Sequence, residues 1–230
     1  MIILTALFIA MPLQRPPSHD HHMGWLIFLL LPQSLPLSLP FSLLVGVLYG
    51  LHNRPVTIPL RRTILMIGLV GSLSSFGTIK WLVPSANHAF RVTLAGRDVV
   101  RGPGEIPLGS LREHALAIKN DGQLDGAGGL LFSYHARWAL VGAAVAFALF
   151  GLGVTALRAG RAATAGIAAL GCVVYVAYFF ELSYVRTSVF SDERVALGLA
   201  WLPNILLILA SVIFLSADHE TDLPDPASGL

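Results

Sequence analysis

The sequence predicts an all-α integral membrane bundle of five to six transmembrane helices, three plus three around a small α+β extracytoplasmic insert. Three observations carry this. Hydrophobic residues make up 55% of the chain and charged residues only 12%, against roughly 25% charged in an ordinary soluble domain. The mean hydropathy is +0.71. Apolar runs of about 18 to 25 residues recur, the length a helix needs to cross hydrocarbon with every backbone polar group satisfied internally. The net charge of +2 and the absence of any basic run exclude a nucleic-acid partner. The single cysteine, Cys172, excludes an internal disulfide and a cysteine metal site.

The elements follow in order. Met1 to Leu13 is apolar without a basic start, so it is not a secretory signal. It supplies about 20 Å of helix against a hydrocarbon core of about 30 Å. It is read as the tail end of a spanning helix or as a start placed too far downstream. Gly24 to Leu51 is long and interrupted by Pro32, Pro36 and Pro40. Thr63 to Val83 is the next run, then Trp138 to Leu157 and Ala163 to Phe180 as a pair, and Val195 to Leu215 last. The domains expected are a membrane half over 1–83, an insert over 84–136, a second membrane half over 137–216 and an acidic tail over 217–230.

Charge sets the orientation. The connector from His52 to Arg62 holds Arg54, Arg61 and Arg62 and no acid, and Arg158 to Arg161 holds two arginines and no acid. By the positive-inside rule both are cytoplasmic. The insert and the connector around Arg186 to Arg194 mix both signs and fall outside; the tail from Asp218 falls inside.

Within the insert, Phe90, Val92 and Leu94 alternate with Arg91, Thr93 and Ala95, a strand signal. Arg101-Gly-Pro-Gly is a turn. Ser110-Leu-Arg-Glu113 reads as a capping box opening a helix to about Asn120. About 50 residues can hold a hairpin or two and a helix, not a jelly roll.

Several features have two readings. The prolines at spacing four make either a re-entrant approach to a cavity or a kinked membrane helix whose freed carbonyls are met by serines. Gly160, Thr164, Ala168 and Cys172 form a small-residue stripe, a packing surface or an opening seam. Lys80, Arg137 and Glu181 sit at membrane ends beside Trp81, Trp138 and Tyr178, as snorkelling side chains or, with Arg91, as a rim for anionic lipid. His19-Asp20-His21-His22 is a solvated loop rather than a metal site. Walker A, G-x-S-x-G and H-E-x-x-H sequences are lacking, so no ATPase or standard hydrolase site is visible and the chain is not expected to be an enzyme.

The stretches Leu35-Pro-Leu-Ser-Leu-Pro-Phe-Ser-Leu-Leu-Val-Gly-Val-Leu, Trp81-Leu-Val-Pro-Ser-Ala-Asn-His-Ala-Phe90, Tyr134-His-Ala-Arg-Trp-Ala139 and Ala200-Trp-Leu-Pro-Asn-Ile205 appear in this order. Together with the membrane–insert–membrane layout they resemble the LptF/LptG (YjgP/YjgQ) permeases of the lipopolysaccharide exporter. The residues carrying the resemblance are Pro84, Asn87, His135, Arg137, Trp201, Pro203 and Asn204. It implies a multi-pass protein of the bacterial inner membrane that pairs with a second permease subunit. A cytoplasmic ATP-binding subunit drives it, and lipopolysaccharide or another anionic lipid passes to a periplasmic bridge protein. No cofactor is implied. In that family lipid enters between the first and fifth membrane helices, and the segment between the second and third docks on the ATPase, here the stretch of Arg54, Arg61 and Arg62. Three departures stand out: a shortened first helix, an insert of about 50 residues in place of a jelly roll, and no acid in the coupling segment. They support a second reading, a non-transporting scaffold or accessory subunit of the same family.

Overall fold

The computed structural model describes residues 23–51, 57–95, 105–157, 160–182 and 187–220. The stretch Met1 to Leu13, the His19 to His22 cluster, Arg54, the Arg101 turn, Arg158, Arg186 and the end of the acidic tail lie outside them. Helix α1 spans Met23–Leu51 and α2 spans Ile58–Gly77. A π-helical turn, Thr78–Leu82, leads directly into α3, Val83–Ala95. Then come α4 (Leu108–Asn120), α5 (Leu124–Ala156), α6 (Arg161–Leu182), a 3₁₀ turn (Thr187–Ser191) and α7 (Glu193–Glu220). Among the described residues, five helical segments are long and apolar enough to cross a membrane: 34–51, 58–93, 124–156, 162–182 and 193–217.

The α+β insert is not borne out: its described residues are helical, and no strand forms among the described residues. Phe90 to Ala95, read as a strand, continues α3. Six alternating residues do not distinguish strand from helix once a helix already enters the segment. It enters through the π turn, where the Val83 N–H reaches back five residues to the Thr78 carbonyl. Pro84, without an N–H, then needs no acceptor. The capping box does not form either. The helix starts earlier, with Pro107 in the cap position, and the Ser110 hydroxyl bonds the Pro107 carbonyl at 3.2 Å. The helix end at Asn120 is where the sequence places it, followed by Gly122 at φ +81, a conformation that suits glycine.

In α1 the proline-bearing segment is a continuous helix. Prolines 36 and 40 cannot bond the carbonyls of Pro32 and Pro36, four residues back. The serines do not reach these: Ser34 Oγ bonds the Leu31 carbonyl at 2.9 Å and Ser38 Oγ the Leu35 carbonyl at 3.2 Å. Their reach of three residues sets them one position away from the vacated acceptors.

Helix α5 is the axis of the bundle: 67% of its span is buried, against 11% for α6. Three apolar clusters line it. At the insert end Leu111 and Ala115 of α4 pack on Leu130 and Leu131, with Leu182, Phe190 and Ala196. Mid-bundle, Phe147 joins Leu44, Ala168, Tyr175 and Leu207, and its ring meets Phe41 and Tyr175 edge-on at 5.0 Å each. On another side Ala148 and Leu152 meet Val47, Leu51 and Ile64. The opposite surfaces of α2, α6 and α7 expose Met66, Val70, Leu73, Leu170, Val173, Leu209 and Ile213. A surface this apolar is stable against hydrocarbon, not water.

Candidate functional site

Charged side chains gather at the insert end of the bundle. His88 and Arg91 lie one turn apart on α3, and Glu105 precedes α4. The Glu105 carboxylate is 2% exposed and takes both, His88 Nδ1 at 2.9 Å and Arg91 Nη1 at 2.5 Å. Arg137, from α5, donates Nη1–H to the Ile106 carbonyl at 2.8 Å. Two helices, α3 and α5, thus converge on residues 105–106. Beside them is a cavity of about 390 Å³ lined by Pro84, Ser85, His88, Val92, Glu105 and Pro107.

A second group ties α4 to α7. The Arg112 guanidinium holds Glu193 with two bonds, Nε–Oε1 at 2.7 Å and Nη2–Oε2 at 3.0 Å. The hydrogen bond and charge of Glu193 raise the Arg112 pKa above its ordinary value. Lys119 Nζ donates to the Ser191 carbonyl at 2.8 Å, and His135 Nε2 lies 3.7 Å from Glu193 Oε1. The ensemble clamps the insert onto the membrane helices. Among the described residues no three metal-ligating side chains come together.

Of the residues expected at a lipid rim, Arg91 and Arg137 are brought to the same insert segment. Lys80 is not: it is exposed on the π turn, its ammonium 4.9 Å from the Trp81 ring centroid and 5.4 Å from that of Phe76. Glu181 is exposed near the end of α6. Pro84 is buried and Asn87 half-buried on α3. His135 is buried with its ring edge-on to Tyr134 at 5.0 Å. On α6, Gly160 is exposed, Thr164 and Cys172 half-buried, and Ala168 buried in the mid-bundle cluster. Arg61 is half-buried, with its Nε out of solvent and without a hydrogen-bond partner, and Arg62 is exposed.

Trp201, Pro203 and Asn204 all lie on the α5–α7 seam or beside it. The Trp201 ring covers Gly142, where a Cβ would come within 2.8 Å of it. Asn204, 1% exposed, donates Nδ2–H to the Ala139 carbonyl at 2.7 Å. Further along, Ser211 Oγ donates to the Leu149 carbonyl at 2.6 Å. Pro203 cannot bond the Leu199 carbonyl, and the Tyr178 hydroxyl of α6 donates to that carbonyl instead, at 2.9 Å. Residues 93–217, which hold this seam and the α4 clamp, match the family described as lipopolysaccharide export system permease LptF/LptG. The chain belongs to the LptF/LptG family. Comparison with curated proteins and with solved structures gives no match. As an LptF/LptG protein with five apolar helices among the described residues, it is a multi-pass membrane protein with a permease-like role in lipopolysaccharide export.

Sequence reasoning missed Glu105, Glu193 and Tyr178 as partners. For Tyr178 a signal existed: a proline inside a membrane helix announces an orphan carbonyl four residues back. Glu105 and Glu193 carry no such signal, because their partners lie 14 and 81 residues away.

Proposed function

We propose that this chain is a permease subunit that extracts an anionic amphipathic lipid, lipopolysaccharide in the first instance, from the bacterial inner membrane. In this reading it pairs with a second permease subunit, a cytoplasmic ATP-binding subunit supplies the energy, and a periplasmic bridge protein receives the lipid. The connectors bearing Arg54 to Arg62 and Arg158 to Arg161 face the cytoplasm, and the insert of 84–136 faces the periplasm. The family match over 93–217 carries the reading. The thinly covered α6 supports it, since its lipid-facing side, with Leu170, Val173 and Val174 exposed, is free to contact lipid or a paired subunit.

Photo-crosslinking in the native membrane tests this. A photoreactive residue at Val173 should give a lipopolysaccharide adduct that changes when the ATP-binding partner is inactivated; one at buried Ala143 should not. A specific observation favours the second reading, a scaffold that has lost transport: the described insert is helical, so Glu105 to Gln123 builds no β slide. A subunit that co-purifies with a permease partner but gives no lipid adduct from α1 or α6 would establish the scaffold and overturn the exporter.

A further inference from the structure

At the end of the bundle opposite the insert, α1, α2 and α5 enclose a second cavity, about 290 Å³, lined by Leu43, Val47, Leu51, Leu60 and Ile64. The three helices close tightly on its α5 side. A Cβ at Gly68 would meet Ala148 Cβ at 3.0 Å, and one at Gly151 would meet Val47 Cγ1 at 2.9 Å. They gape on the outer side, where Gly46 and Gly50 have nothing within 4 Å of a Cβ. In a bilayer such an apolar crevice is filled by hydrocarbon. Its volume is about ten times the ~30 Å³ of one water molecule, enough for a stretch of acyl chain and too little for a helix about 10 Å across.

Basic residues neighbour the lining in sequence. Arg61 does not line the crevice but follows Leu60, which does, and its Nε is buried and without a hydrogen-bond partner. Arg62 beside it is exposed. The first turn of α2 has no acid. Hydrocarbon volume and adjacent cations together match one molecule type. We propose that this crevice binds an anionic phospholipid of the leaflet at the connector end, one acyl chain between α1 and α2 and the phosphate on Arg61 and Arg62. The site stands on the membrane reading and goes beyond the export role. It gives the arginine pair a ligand other than an ATP-binding subunit.

Native mass spectrometry of the full chain, released from micelles supplied with dioleoyl phosphatidylglycerol or dioleoyl phosphatidylcholine, tests it. The phosphatidylglycerol adduct should dominate. Arg61→Gln and Arg62→Gln should each weaken it about fivefold, the share of one basic residue at an anionic surface, with little change for phosphatidylcholine. Gly46→Leu with Gly50→Leu should expel both lipids, since the added side chains occupy the crevice without meeting protein at their Cβ. Gly198→Leu, equally open but on α7, is the control and should leave both adducts unchanged. Equal retention of the two lipids, or adducts that survive the filled crevice, would overturn the site. So would arginine variants that lose an ATP-binding partner while keeping phosphatidylglycerol.

Discussion

Among single residues, Pro203 and Tyr178 show how a broken helix bond is repaired in a setting without water. The Leu199 carbonyl loses its donor to the proline and regains one from a neighbouring helix. Tyr178→Phe should therefore destabilise the bundle by about 1 kcal/mol. In a Pro203→Ala background the residue 203 N–H takes the carbonyl back, and Tyr178→Phe should then be nearly neutral. Unfolding equilibria of the four proteins in micelles measure this; effects that add within about 0.3 kcal/mol would show the two residues to be unconnected. Asn204 works the same seam through the Ala139 carbonyl. The sequence exposes these residues as types, a proline and an asparagine inside an apolar run, and the run itself shows that each must find a partner. It does not show which helix supplies one, because that depends on rotation of α6 and α7 about their own axes.

At the scale of elements, α5 holds its neighbours by having no side chain where they come closest. A Cβ at Gly153 would stand 2.7 Å from Ser211 Cα on α7, and one at Gly128 would collide with the Thr187 carbonyl of the 3₁₀ turn. Backbone atoms cannot step aside as a flexible side chain can. Gly153→Ala should cost about 1–3 kcal/mol, while Gly198→Ala, which meets nothing, should gain up to ~1 kcal/mol from helix propensity. Thermal unfolding of the two variants separates them, and equal behaviour would contradict the seam. The apolar runs revealed the core of each membrane helix but not its ends. Sequence places the start of the fourth run at Trp138, whereas the helix begins at Leu124. Between the two lie Asp125, Tyr134, His135 and Arg137, a polar and amphipathic stretch whose helicity comes from packing under α4 rather than from lipid. The strand assigned at Phe90 to Ala95 failed for the same reason: the preceding helix and the Glu105 contacts decided that segment, and both are invisible in a six-residue window.

The bundle carries Arg61 and Arg62 at one end and the clamped α4 at the other. The proposed orientation, with the basic connectors inside by the positive-inside rule, is open to a direct test. In a Cys172→Ser background, a single cysteine at exposed Glu113 on α4 should react with a membrane-impermeant thiol reagent added outside intact cells. One at Arg62 should react only after the membrane is breached. Labelling in the reverse order would invert the orientation and move the insert to the cytoplasmic side. The bundle class was legible because hydrocarbon imposes length and apolarity on every spanning segment. The insert-end cluster was half-legible: Arg91 and Arg137 are visible as cations near membrane ends, but the carboxylate that gathers Arg91 and His88 is one acid among several in a mixed insert.

The length of α5 has a mechanical consequence. Its residues, Leu124–Ala156, make a rod of about 50 Å at 1.5 Å per residue, in a hydrocarbon slab of about 30 Å. The surplus stands beyond the bilayer, and α4 is fixed to it by a tight turn and an apolar contact, and to α7 by the Arg112–Glu193 clasp. Such a rod is a lever with its fulcrum in the membrane. A small tilt driven at the connector end becomes a larger sweep at the insert end, and the tight turn and apolar contact there make α4 travel with it.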